Sequence, residues 1–79
     1  MSWHFSFSAK TRAEAAQLLA KNVADNRAHC PEEQILPAGD RLIELMPREP
    51  ARPIIVTSYG HIDQNGGNAL IEVRIAPGS

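Results

Sequence analysis

Residues 54–76 read Ile-Ile-Val-Thr-Ser-Tyr-Gly-His-Ile-Asp-Gln-Asn-Gly-Gly-Asn-Ala-Leu-Ile-Glu-Val-Arg-Ile-Ala, and this stretch decides the fold. Gln64-Asn65-Gly66-Gly67 offers the residues that accept the positive φ of a tight primed turn, between two runs rich in β-branched side chains. With Asn65-Gly66 as the turn, Ile62 falls opposite Ala69, Gly60 opposite Ile71, Ser58 opposite Val73 and Val56 opposite Ile75. A turn at Gly66-Gly67 keeps the same parity, so the two faces are the same either way. One face carries Ile54, Val56, Ser58, Gly60, Ile62, Ala69, Ile71, Val73 and Ile75. The other carries Ile55, Thr57, Tyr59, His61, Leu70, Glu72 and Arg74. The first is a core face and the second faces outward.

Working back from the hairpin, Pro47-Arg-Glu-Pro-Ala-Arg-Pro53 is an extended, proline-rich connector. Before it, Pro31 suits the first turn of a helix, with Glu32 and Glu33 against its positive end. Ile35, Ala38, Leu42, Ile43 and Met46 keep helical register, so a helix is expected over 31–46, kinked or broken at Pro37. An interior proline removes a hydrogen bond and costs ~3 kcal/mol or more. Thr11-Arg12-Ala13-Glu14 has capping-box spacing and opens a helix over 11–26, with Ala16, Leu19, Ala20 and Val23 as its apolar stripe. Ser2 to Ser8 alternate strictly, Trp3, Phe5 and Phe7 on one side and Ser2, His4, Ser6 and Ser8 on the other, which predicts a half-buried strand. Pro77-Gly78-Ser79 is read as a frayed tail.

The expected fold is therefore α+β, a single two-layer β-α-α-β-β domain over residues 1–79. Its three-stranded, mainly antiparallel sheet carries both helices on one face. The simplest strand order places the first hairpin strand in the middle.

Seventy-nine residues bury only ~60–65% of the surface that the unfolded chain exposes, so a homodimer would be an inexpensive source of further stability. Eight basic and nine acidic residues are spread along the chain for a net charge of −1, and no basic stripe is present. That composition argues against a nucleic-acid partner held by phosphate attraction. One cysteine rules out an internal disulfide framework and fits a reducing compartment. No leader pattern and no apolar run of ~20 residues appear, so the expectation is a cytoplasmic protein with no membrane partner.

Candidate chemistry is sparse. His61 and Asp63 share a strand face at i, i+2, yet two ligands do not make a metal or acid–base site, and His4 and His29 lie on other elements. His29-Cys30 sits in the break between helices, where neighbours in sequence seldom form a nucleophile–base pair; a packed loop is the plainer reading. Glu32, Glu33, Asp40 and Glu44 are spaced as a solvated helix rim. Gly66-Gly67 precedes no helix and is not a phosphate loop. Trp3 reads as core. No catalytic residue, cofactor or metal site is assigned. The remaining candidate is an interaction face built from Ile55, Thr57, Tyr59, His61, Leu70, Glu72 and Arg74, whose mixture of an aromatic, aliphatics and an arginine is that of protein-binding patches. The alternative is a solvated sheet face with scattered apolar residues.

Met1-Ser2-Trp3-His4-Phe5-Ser6-Phe7, Lys10 to Ala16, and Ser58-Tyr59-Gly60-His61 with Gly66-Gly67 together resemble small uncharacterised accessory proteins of tailed bacteriophages and prophages. The likeness lies in pattern and departs at Pro37 and in the proline-rich connector. It implies a non-enzymatic protein in a bacterial host cytoplasm that acts by protein–protein interaction, including inhibition of a host or anti-phage defence factor. Two other functions stay open: a virion or assembly accessory protein working by self-association, and a small-ligand or nucleotide binder using His61 and Asp63.

Overall fold

The computed structural model describes residues 2–62 and 70–78. The expected turn at 64–67 and Asp63 lie outside the described residues. Five elements follow in the order β1 (Ser2–Ala9), α1 (Arg12–Asp25), α2 (Glu32–Glu44), β2 (Ile54–His61) and β3 (Leu70–Pro77). The strands form one antiparallel sheet in the order β1-β2-β3. The architecture is the α+β arrangement read from the sequence, with both helices packed against the sheet.

Alternation explains the layers. Trp3, Phe5 and Ala9 of β1 and Ile54 and Val56 of β2 are buried, and the intervening residues turn to the opposite face. Pairing sets Trp3 across from Gly60, Phe5 from Ser58, Phe7 from Val56 and Ala9 from Ile54. The hairpin pairs Val56 with Ile75, Ser58 with Val73 and Gly60 with Ile71, the register that its turn residues imply.

Ser58 is a fully buried polar residue within this core. Its hydroxyl accepts the indole N–H of Trp3 at 3.0 Å, so both polar groups are satisfied inside the protein. Gly60 makes room for the same indole. A Cβ there would lie 2.3 Å from two indole ring carbons and from the Leu70 carbonyl oxygen. The tryptophan therefore needs a glycine opposite it and a hydroxyl two residues away on the same strand.

Thr11 caps α1 by accepting the Glu14 N–H at 3.1 Å. The buried stripe of α1 is Ala15, Leu19 and Val23, which corrects the expected one: Ala20 is exposed and Ala16 only half-buried. In so alanine-rich a helix, the apolar gradient is shallow, and contact with the sheet and α2 sets the rotation. α2 runs unbroken through Pro37. The proline faces solvent, while Ile35, Gly39 and Ile43 bury on either side of it. Burial of the two isoleucines, worth ~1.5–3 kcal/mol each, offsets the lost hydrogen bond. Gly39 permits the helix crossing, since a Cβ there would sit 2.3 Å from Leu19 Cδ2. The Arg12 guanidinium donates to the Glu44 carbonyl at 3.0 Å, tying the start of α1 to an open carbonyl at the end of α2.

α1 packs over β1 and β2, and α2 over β3. Ile71, Val73 and Ile75 nonetheless stay half-buried, as does Phe7 on β1, so the helices cover the two outer strands less completely than the central β2. The tail is also tighter than expected. Pro77 belongs to β3, and buried Gly78 donates its N–H to the Pro53 carbonyl at 2.6 Å.

Candidate functional site: the open face of the sheet

With both helices on one side, the other side of the sheet is left open among the described residues. β2 occupies the middle and projects Ile55, Thr57, Tyr59 and His61 onto it. Pairing arranges the face in cross-strand rows: Ser2, His61 and Leu70; His4, Tyr59 and Glu72; Ser6, Thr57 and Arg74; Ser8, Ile55 and Ala76. All seven sequence-derived face residues are thus brought together on β2 and β3.

Tyr59 is the centre of this surface. Its hydroxyl donates to Glu72 Oε2, and Arg74 Nε donates to Glu72 Oε1. The guanidinium carbon lies 5.9 Å from the Tyr59 ring centroid, within cation–π range. On the other flank the His4 ring lies 6.5 Å away, tilted by 33°. One row along, the Ser6 and Thr57 hydroxyls share a hydrogen bond of 3.2 Å. The tyrosine is fixed from three sides. Arg74, with its side chain 68% exposed, still offers donors to solvent, and Leu70 is 61% exposed.

The hydrogen bond to Glu72 pushes the Tyr59 hydroxyl above the usual tyrosine value. The same bond from Tyr59, aided by Arg74, holds Glu72 below the usual carboxylate range. Each shift moves its group further from neutrality. This pair keeps one charge state around pH 7 and serves to hold shape.

His4 and Ser6 belong to this face although the sequence-derived patch was confined to the hairpin. The alternation of β1 already turned them outward; their place beside Tyr59 and Thr57 depends on the register between β1 and β2, which no turn between those strands specifies. His61 ends β2 as an exposed residue, while its sequence neighbour Asp63 lies outside the described residues. His29 is exposed and Cys30 buried, and both their amides donate to the Asn26 carbonyl at 2.9 Å. Burial, reinforced by the charges of Glu32 and Glu33, pushes the Cys30 thiol up, disfavouring the reactive thiolate. A cavity of about 300 Å³ adjoins this loop, lined in part by Arg27, His29, Glu33 and Ile62. Glu32, Glu33, Asp40 and Glu44 are all exposed. Among the described residues no three His, Cys, Asp or Glu side chains are grouped to hold a metal, and no helix is long and apolar enough to cross a membrane.

Fold and site together define a small two-layer α+β domain with an open, pre-ordered sheet face. Compared with known protein families, curated proteins and solved structures, the chain matches none.

Proposed function

We propose that this protein is a non-enzymatic interaction protein that binds another protein through the open face of its sheet. The observation that carries this reading is the restraint on Tyr59. A large amphipathic side chain already held by Glu72, Arg74 and His4 loses little conformational freedom on binding, which favours affinity. Around it lie the exposed Leu70 and the outward guanidinium of Arg74. The complementary surface is one with an apolar contact for Tyr59 and Leu70 and a carboxylate for Arg74. The phage-like sequence pattern supplies the setting: an accessory protein that occupies a host or defence factor in the bacterial cytoplasm and blocks it.

The test is capture of partners from bacterial lysate on the wild-type protein, on Tyr59→Ala and on Leu70→Glu, followed by calorimetry on the candidate recovered. A partner using this face should lose roughly tenfold or more in affinity with Tyr59→Ala, about 1.4 kcal/mol. A partner bound equally well by both folded variants would remove the face from the function.

A further inference from the structure

We infer that β3 is a dimerisation edge, pairing antiparallel with β3 of a second copy about a two-fold axis at Val73 to make a continuous six-stranded sheet. The inference goes beyond the reading of the open face and does not depend on it.

Three observations converge. First, β3 lies at the end of the sheet, and among the described residues no strand pairs with its outer edge. Such an edge presents unpaired peptide groups to any matching strand. Second, the inner-facing Ile71, Val73 and Ile75 are all only half-buried, whereas on the opposite edge strand Trp3, Phe5 and Ala9 are at most 7% exposed and only Phe7 is half-buried. Among the described residues both outer strands leave a ladder open, but only on β3 are Ile71, Val73 and Ile75 all left half-buried.

Third, β3 is complementary to itself in a register centred on Val73, the one that sets both Glu72 and Arg74 against an opposite charge. The Gly78 N–H donates to Pro53, one step beyond the Ile54–Pro77 pair. Even-numbered positions of β3 therefore turn their peptide groups toward β2, and Ile71, Val73 and Ile75 turn theirs outward. Antiparallel pairing centred on Val73 matches these outward groups: Val73 with the partner's Val73, and Ile71 with the partner's Ile75. On the open face, Glu72 then meets the partner's Arg74, and Arg74 meets the partner's Glu72. Leu70 meets the partner's Ala76. Centring the axis on Glu72 or on Arg74 would instead set like charges across it, a destabilising arrangement. The two charges that bracket Tyr59 would thus close into an alternating ring of four, and the two open faces would join across the axis.

The alternation of charge makes the register testable. Sedimentation equilibrium of the wild-type protein over a range of micromolar concentrations should show a monomer–dimer equilibrium. Glu72→Arg alone and Arg74→Glu alone each convert both cross-axis pairs to like charges and should raise the dissociation constant roughly tenfold or more. The double exchange Glu72→Arg/Arg74→Glu restores opposite charges in this register only and should recover most of the association. Amide exchange on the unaltered protein gives a second reading independent of any variant: Ile71, Val73 and Ile75 should gain protection as concentration rises. A wild-type monomer at all concentrations, fast exchange at those three amides in the associated protein, or a dimer indifferent to the charge exchanges would each overturn the proposal.

Discussion

The two edges of the sheet are built from the same β2 neighbour yet end differently. β1 is largely sealed within the chain: Trp3, Phe5 and Ala9 are buried and only Phe7 is half-buried on its inward side, α1 packs on the strand, and the outward side chains are serines and a histidine. β3 pairs with β2 over the same eight-residue span, but its isoleucines and valine remain half-buried and its outward positions carry a carboxylate and a guanidinium. A helix packs on each edge strand, so the seal depends on the inward side chains: large aromatics close most of β1, whereas Ile71, Val73 and Ile75 leave β3 half-covered.

The largest expected effect is on the sealed edge. Trp3→Ala should remove an almost fully buried indole, leave a void over Gly60 and deprive Ser58 of its partner. We expect a loss of about 3–5 kcal/mol in urea denaturation, a large share of the stability of a domain this small. A loss below about 1 kcal/mol would mean that the Trp3 indole is not sealed into the core.

Val73→Ala is the matched change on the open edge. A half-buried valine gives up only part of its transfer energy, so the monomer should lose about 1 kcal/mol. The contrast between the two substitutions sharpens the comparison. Equal losses, measured at protein concentrations where the monomer dominates, would show that the edges are energetically alike.

Much of the fold, though not this contrast between its edges, was legible in the residues. The parity of residues 54–76 paired Tyr59 with Glu72 and Thr57 with Arg74, as the structure does, because strand alternation and the turn-favouring residues between the two runs leave few registers to choose from. Thr11 and Glu14 marked the start of α1, since capping is a local interaction. Long-range contacts were less legible. The bond from Trp3 to Ser58 spans 55 residues, and the placement of His4 beside Tyr59 depends on that same strand pairing. Ala16 and Ala20 were placed on the buried stripe and Ala15 was not, because alanine carries too little hydrophobic contrast to reveal which side of a helix is buried. Pro37 marks a weak point for an isolated helix, and only the flanking burial of Ile35 and Ile43 shows why the helix continues. The half-burial of β3 needed the positions of both helices.

The smallest expected effect belongs to the charged pair on the open edge. Glu72 has its carboxyl lowered by Tyr59 and Arg74, so its contribution to stability is complete above the ordinary carboxylate value. That contribution fades as pH falls through the lowered folded value. Tyr59 is raised by its bond to Glu72; its contribution is complete below the ordinary tyrosine value of about 10 and fades as pH rises through the raised one. The pair therefore supports the fold across the neutral range and loosens at both extremes. Thermal midpoints of wild type and Glu72→Gln, compared from about pH 3 to about pH 11, should differ by a small margin near neutrality and converge toward each end. Because both groups lie at a solvated surface, the margin should also shrink with added salt. A gap that stayed constant with pH would mean that the Tyr59–Glu72 bond does not form in solution, and that Tyr59 sits on the open face without the restraint that suits it to binding.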